Sequence, residues 1–178
     1  MENMFEEFKN KTRVLVLSTQ PCVAKLLLEV LNFHSKDFDF YVENDLDNKN
    51  NSDFIILETC NLQSAALFKP NIALLTSEMV GEEILPVLEN MIAGGVLVYP
   101  ISSDEIVAQS VNFFRKLVFT ETEFHKTNET FILETNIGQI PVYSQDEFLI
   151  KNIDGVKLLT QQFGVMEEDF YEPVMSFE

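Results

Sequence analysis

Four side chains that could do chemistry follow predicted strand ends or begin predicted helices: Cys22, Glu58, Cys60 and Glu82. Ligands of a doubly wound α/β sheet bind beyond the carboxyl ends of its strands, so these side chains are expected to converge there. We expect a lowered thiol pKa for Cys22, because it lies near a helix N-terminus. The hypothesis is a redox or small-ligand pocket at Cys22 and Cys60. The alternative is two small buried thiols and two solvated acids.

The elements that must position these residues begin with unbroken apolar runs. Such runs are typical of parallel strands covered on both faces, and they predict strands at 13–18, 54–58, 71–76 and 96–99, with an alternating strand at 38–43. Helices are predicted from Pro21 to about His34, over 82–93 before Gly94, and from a capping box at Ser102 to about 116. The Asn-rich stretch 45–52 is predicted to be a polar loop.

The pattern changes after residue 116. Short strands are predicted at 117–120, 130–135 and 139–143, and the turn at 136–138 makes the last two a hairpin. A capping box formed by Ser144 and Glu147 predicts a helix ending at Gly164, and a last helix follows over 167–176. The order predicts an α/β fold: a doubly wound, mainly parallel sheet of about six strands, with helices on both faces and a small antiparallel hairpin extension.

Composition limits the classes of function. The chain has 178 residues, enough for one domain, predicted over 13–178 after an N-terminal extension at 1–12. Its formal net charge of −17 repels phosphate backbones, so nucleic acid is not an expected partner. No apolar run approaches the roughly 18 residues of a membrane span, and no secretory signal is recognisable at the N-terminus, so no membrane partner and a cytoplasmic location are expected.

Three stretches resemble the central ATPase domain of a Mur ligase, most closely the murein peptide ligase branch, which joins a peptide to UDP-N-acetylmuramate. They are VLNFHSKDFDF at 30–40, PNIALLT at 70–76 with GGVLVY at 94–99, and GVMEEDFYEPVMSF at 164–177. The resemblance implies a P-loop-like α/β fold, ATP and magnesium as cofactors, and ATP-dependent ligation of an acid to an amino acid or peptide. It spans almost all of 13–177, and the two flanking domains of the family are expected to be absent.

The resemblance also places the family's functional residues, and many of them are changed. A P-loop needs glycines for close phosphate approach and a lysine for the β- and γ-phosphates, but its match, Ser18 to Cys22, has neither. Pro21 removes a further backbone donor, and Lys25 falls one turn into the helix. We therefore expect no ATP binding at this loop.

The metal and nucleotide contacts of the family are also incomplete. Glu58 matches the first acid of a magnesium motif, but 59–61 lack the other acids. Glu82 follows Gly81 where the family has an Asp-His pair; it is either a weak cation ligand or an acid favoured by the helix dipole. Phe148 and the residue after it replace a nucleotide-contacting His-Asn pair, and Asn152 matches a family asparagine. Glu58 and Asn152 are thus remnants, with no confident metal, cofactor or catalytic residue.

The resulting hypothesis is a degenerate, non-catalytic Mur ligase-like domain that acts as a binding or assembly module. Its partner would be a protein or a second copy, as in a homodimer. The alternatives are an ATP-dependent ligase or nucleotide-binding protein with an atypical site, and the thiol pocket described above. An interface is predicted in the C-terminal segment, at Phe170, Tyr171, Met175 and Phe177, because aromatic and methionine side chains are enriched in interface cores. The other interpretation is that these residues dock the last helix onto the core.

Overall fold

A computed structural model describes residues 8–42, 45–48, 51–127 and 130–177, with only the backbone described at 42 and 45–48. Its strands are β1 (Thr12–Leu17), β2 (Asp39–Val42), β3 (Asp45–Asn48), β4 (Phe54–Thr59), β5 (Ile72–Leu75), β6 (Gly95–Pro100), β7 (Phe114–Phe119), β8 (Phe124–Lys126), β9 (Phe131–Thr135) and β10 (Gly138–Val142). Its helices are α1 (Cys22–Phe33), α2 (Leu62–Phe68), α3 (Leu85–Asn90), α4 (Asp104–Val107), α5 (Glu147–Gln161) and α6 (Glu167–Met175).

The main sheet has the strand order β3-β2-β4-β1-β5-β6-β7. Six of these strands are parallel, and β3 is added antiparallel to β2. A second, antiparallel sheet has the order β10-β9-β8 and contains the predicted hairpin. The predicted fold class is therefore confirmed. The carboxyl ends of β4, β1 and β5 lie side by side and form the edge where a ligand site was expected.

The sheet is buried on both faces because its central strands carry unbroken apolar runs, at 14–17 in β1, 54–57 in β4 and 72–75 in β5. In β1, Val14 and Val16 pack with α1, α5, α6 and the small sheet, whereas Leu15 and Leu17 pack with α2 and α3. Helix α5 lies close to the sheet at Gly155, where a Cβ atom would be 2.8 Å from Cε1 of Phe119. These contacts fix the strand ends and the loops that follow them.

Several predicted elements are corrected by the structure. The helix predicted to reach residue 116 ends with α4 at Val107, and 114–116 form the start of β7. The predicted polar loop contains β3, whose backbone pairs with β2. Helix α2 was not predicted. The predicted helix at 82–93 is a 3₁₀ turn at Glu82–Ile84 followed by α3, which ends at Asn90.

The two predicted capping boxes are also wrong. The carboxylate of Asp146, not the Ser144 hydroxyl, caps α5 by accepting hydrogen bonds from the Phe148 and Leu149 amides. Ser102 lies inside a 3₁₀ turn, Ile101–Ser103, that leads into α4. The predicted N-terminal extension includes Phe8, whose ring is buried against Tyr41. Within the described residues, no helix has the length and hydropathy needed to cross a membrane.

Candidate functional site

The loop between β1 and α1 lies at the centre of the carboxyl edge. Ser18 is buried, whereas Thr19, Gln20 and Pro21 are exposed. The Gln20 amide donates to the Ser18 hydroxyl oxygen (3.1 Å), and this hydroxyl lies 2.9 Å from the Gln20 carbonyl oxygen. Helix α1 begins at Cys22, and its N-cap position, Pro21, makes no side-chain capping hydrogen bond among the described residues. The loop is therefore a tight turn with a fixed backbone.

A carboxylate of the same chain occupies the donors of this loop. Oε1 of Glu78 accepts hydrogen bonds from the Thr19 amide (2.9 Å) and the Thr19 hydroxyl (3.1 Å), and it lies 3.3 Å from the Ser18 hydroxyl. The other carboxylate oxygen, Oε2, is buried with no hydrogen-bond partner among the described residues. Backbone N–H and hydroxyl groups at a strand-to-helix turn are the donors that commonly bind phosphate or carboxylate ligands. In this loop, the donors of Thr19 are hydrogen-bonded to the Glu78 carboxylate.

Asn152 of α5 holds the segment that carries Glu78. Its Oδ1 accepts from the Ser77 amide (2.8 Å), and its Nδ2 donates to the Phe148 carbonyl (2.9 Å) and the Ser77 hydroxyl (3.3 Å). The Asn152 side chain is fully buried. Although Asn152 was predicted to be a remnant of a nucleotide contact, its amide is committed to these internal hydrogen bonds, so the structure gives it a positioning role.

Cys22 does not have the activated thiol predicted from its position. Burial, together with a hydrogen bond and charge repulsion from the Asp146 carboxylate, raises the thiol pKa of Cys22 to about 12. These effects exceed those of the backbone hydrogen bonds at the start of α1, which lower the pKa. The prediction of a lowered pKa is therefore wrong, and Cys22 is a protonated thiol near neutral pH.

The other predicted site residues do not assemble into a metal centre. Glu58 is half-buried near the end of β4, Cys60 is exposed after it, and Glu82 is exposed in the 3₁₀ turn before α3. In the part of the chain that the structure describes, no group of three or more His, Cys, Asp or Glu residues is placed to hold a metal ion. Glu78, which was not among the predicted site residues, is instead hydrogen-bonded to the β1–α1 loop.

A cavity of about 470 Å³ lies away from this edge. It is lined by polar and aromatic side chains near the start of β4: Lys36, Asp37, Asn51, Ser52, Asp53, Phe54 and Phe163. Glu58 lies near the opposite end of the same strand, so the cavity does not extend the candidate site.

The C-terminal segment is mostly part of the core. Phe170 is fully buried, and Tyr171 is 2% exposed. The Tyr171 hydroxyl accepts a hydrogen bond from Lys157 of α5, which also pairs with Glu167. Met175 and Phe177 are half-buried. The prediction of an interface is therefore wrong for Phe170 and Tyr171, which dock α6 onto α1 and α5 instead.

Apolar side chains are exposed in a different place, the loop 110–113 before β7. Val111 is 92% exposed and Phe113 is 77% exposed. Between them, Nδ2 of Asn112 donates to the Leu88 carbonyl (2.8 Å) and the Met91 carbonyl (2.9 Å). The loop therefore has a fixed backbone while its two apolar side chains extend into solvent.

Three features of these sites were missed by reasoning from the sequence: Glu78, Asp146 and the loop 110–113. Glu78 lies three residues after the end of β5, and β5 neighbours β1 in the sheet, so the strand order would have placed it near Thr19. Asp146 immediately precedes α5 and is a good N-cap residue type. Val111 lies within the range of the helix that was predicted to reach residue 116, but α4 ends at Val107.

The fold is similar to that of several ligases of known structure. MurF from Acinetobacter baumannii superposes with a TM-score of 0.71 at 11% identity, over 99% of this chain and 48% of that one. The UDP-N-acetylmuramate:L-alanyl-γ-D-glutamyl-meso-diaminopimelate ligase from Neisseria meningitides gives 0.73 at 13% identity, over 99% and 69%. A complex of FPGS with AMPPCP and folate gives 0.64 at 10% identity, over 99% and 65%.

The chain spans about half the length of the MurF structures that it matches. No protein-family model matches the sequence, and the comparison with curated proteins found no match. The likeness therefore rests on structure over nearly the whole chain, at identities of 10–13%. It shows that this chain has the α/β fold found in Mur ligases.

Proposed function

We propose that this chain is a non-catalytic, Mur ligase-like domain that acts as a binding or assembly module. The observation that carries the proposal is the β1–α1 loop. It lacks glycine and lysine, and Pro21 removes a backbone donor. The Glu78 carboxylate accepts a hydrogen bond from the Thr19 amide. A phosphate at this loop would meet a carboxylate instead of a lysine, in a chain whose net charge is already −17.

The remaining family positions support the same proposal. Asn152 is committed to Ser77 and Phe148, and the Cys22 thiol is protonated beside Asp146. Glu82 is exposed at the start of its turn. ATP-dependent ligation requires phosphate binding, charge neutralisation and nucleophile positioning together, and the β1–α1 loop itself contains no lysine or arginine to neutralise phosphate charge.

The nucleotide part of the proposal is tested by calorimetry and thermal shift with Mg-ATP, ADP and UDP-sugars, each with and without magnesium. Because a ligand that binds only the folded chain raises its melting temperature, an unchanged melting temperature at millimolar ligand is the expected result. A dissociation constant in the micromolar range for Mg-ATP would contradict the proposal and favour a ligase with an atypical site.

For the assembly part, we assign the contact to loop 110–113 and its occupant to a second copy of this chain. Exposed apolar side chains on a fixed backbone are typical of protein contact sites, because little backbone entropy is lost when they are buried. The neighbouring strand β7 is at the edge of the sheet, but it exposes Arg115 and Lys116. Charged side chains on edge strands oppose strand pairing, so the loop is a better contact than the strand edge.

Sedimentation velocity tests this contact with a Val111→Ser, Phe113→Ser double variant. The matched control is an Ile137→Ser, Tyr143→Ser variant, which removes two exposed apolar side chains from the β9–β10 hairpin region. We expect the wild type and the control to self-associate with similar affinity, and the loop variant to be monomeric. A wild type that remains monomeric at 100 μM or above would remove self-association from the proposal.

A further inference from the structure

The Glu78 contact has the chemistry of a bound anion rather than of an ordinary surface hydrogen bond. One oxygen, Oε1, accepts hydrogen bonds from both the amide and the hydroxyl of Thr19. Thr19 lies three residues before Cys22, where α1 begins. At such turns, phosphate groups are bound by convergent hydrogen-bond donors and by the positive partial charge of the helix N-terminus. The carboxylate comes from a residue 59 positions away in sequence, so the contact is tertiary and not part of the turn itself.

The same contact is incompletely satisfied. Oε2 of Glu78 is buried and lacks a hydrogen-bond partner among the described residues. A desolvated carboxylate oxygen without a donor opposes the closed arrangement. The backbone on either side is fixed, since the Ser77 amide is bound by Asn152 and the Met79 amide donates to the Thr76 carbonyl (2.9 Å). Opening therefore requires only that the Glu78 side chain rotate away from Thr19.

We propose that Glu78 is an internal anion that closes the β1–α1 loop to phosphate-bearing ligands, an autoinhibitory contact built into the fold. This inference rests on the proposed function, because it explains how a loop of this fold remains closed in a chain without nucleotide chemistry. The Thr19 donors retain their affinity for anions, and removal of the Glu78 carboxylate exposes these donors to inorganic phosphate.

The test compares the wild type with Glu78→Ala, Glu78→Gln and Glu82→Ala by amide NMR during titration with inorganic phosphate at constant ionic strength. Glu78→Ala opens the loop, and Glu78→Ser repeats that test if the alanine variant is unstable. Glu78→Gln retains an acceptor oxygen of the same reach and is expected to remain closed. Glu82→Ala is the matched control, because it removes a neighbouring exposed glutamate and leaves the contact intact.

We expect a saturable shift of the Thr19 amide in the Glu78→Ala chain, with at least tenfold tighter phosphate binding than in the wild type. Amide hydrogen exchange at Thr19 should also become at least tenfold faster in that variant without phosphate. The inference is overturned if the opened variants fold and show no phosphate-dependent shift at Thr19, or if Glu82→Ala gains the same binding. Wild-type binding of phosphate or Mg-ATP at Thr19 would contradict the proposed function as well, so the two failures are distinguishable.

Discussion

The carboxyl edge around β1 and the loop 110–113 differ in what they leave available for contact with other molecules. At the edge, Glu78 and Asn152 use internal hydrogen bonds to occupy the donors and acceptors that a ligand would need. In the loop, Asn112 fixes the backbone, but Val111 and Phe113 remain exposed. Donors at the edge where this fold's ligand site is expected are thus used by groups of the same chain, whereas an ordinary connecting loop exposes two apolar side chains. The surface available for recognition therefore need not be the edge where the fold's ligand site is expected.

The largest effect is expected on the rate at which a thiol reagent labels Cys22, the cysteine at the carboxyl edge. With the pKa of the Cys22 thiol raised to about 12, about one molecule in 10,000 carries the thiolate at pH 8. We therefore expect a thiol reagent to label exposed Cys60 first, by at least a hundredfold in rate. The Cys22 rate should rise about tenfold per pH unit up to about pH 12, because the thiolate is the reacting form.

Single-cysteine variants provide the control for this measurement. Cys22→Ser should retain fast labelling at pH 8, and Cys60→Ser should lose it. Similar labelling rates for the two cysteines at pH 8 would show that the edge is open around Cys22.

The next largest effect is expected at Asn152, which links the closed edge to α5. Asn152→Leu leaves the partly buried Ser77 amide without its acceptor and removes a fully buried amide from its hydrogen bonds, so we expect the free energy of unfolding to fall by about 2–4 kcal/mol. Urea denaturation measures the change, with Gln161→Leu as an exposed control on the same helix. A loss below about 0.5 kcal/mol would mean that the hydrogen bonds of Asn152 do not hold this edge together.

A smaller effect is expected where α5 approaches the sheet. In Gly155→Ala the new methyl group would lie 2.8 Å from Cε1 of Phe119 and 3.0 Å from Cδ1 of Leu74. Overpacking costs about 1–3 kcal/mol, and the better helix propensity of alanine offsets about 1 kcal/mol of it. Net destabilisation of about 1 kcal/mol by denaturant titration is the expected outcome. A net stabilisation would show that α5 can move away from the sheet.

The smallest effect on stability is expected in the open loop. Phe113→Ser removes an exposed ring and should change the free energy of unfolding of the monomer by no more than about 0.5 kcal/mol. A much larger loss, measured well below the concentration of self-association, would indicate that Phe113 packs within the monomer. In that case the contrast between a closed edge and an open loop would not hold.

The sheet could be predicted from the sequence because its central strands are apolar on both faces. Runs such as 14–17 and 72–75 have few other interpretations in a chain with helical segments between them. The boundary between helix α4 and strand β7 could not be predicted from the sequence. The apolar residues on both sides of it fit one helical spacing: Ile106, Val107, Val111 and Phe114. What ends the helical pattern is tertiary: Asn112 binds the Leu88 and Met91 carbonyl groups of another segment.

The candidate site was only partly predictable for the same reason. The absence of glycine and lysine from the β1–α1 loop is a property of the sequence and was recognised there. The partners of the remaining residues are not local. Glu78 reaches Thr19 from the end of β5, and Asp146 reaches Cys22 from the start of α5. A pKa predicted from the helix N-terminus alone has the wrong direction when a distant carboxylate and burial act on the same thiol.

We propose that the β1–α1 loop does not admit nucleotides in the native chain, because the Glu78 carboxylate is bound to the Thr19 donors. The most direct measurement follows the Thr19 amide of the wild-type protein by NMR during titration with Mg-ATP. We expect this resonance to remain unchanged up to millimolar Mg-ATP, because the hydrogen bond from the Thr19 amide to Glu78 is retained. A saturable shift at micromolar Mg-ATP would contradict this expectation, since it would show that nucleotide displaces the Glu78 carboxylate.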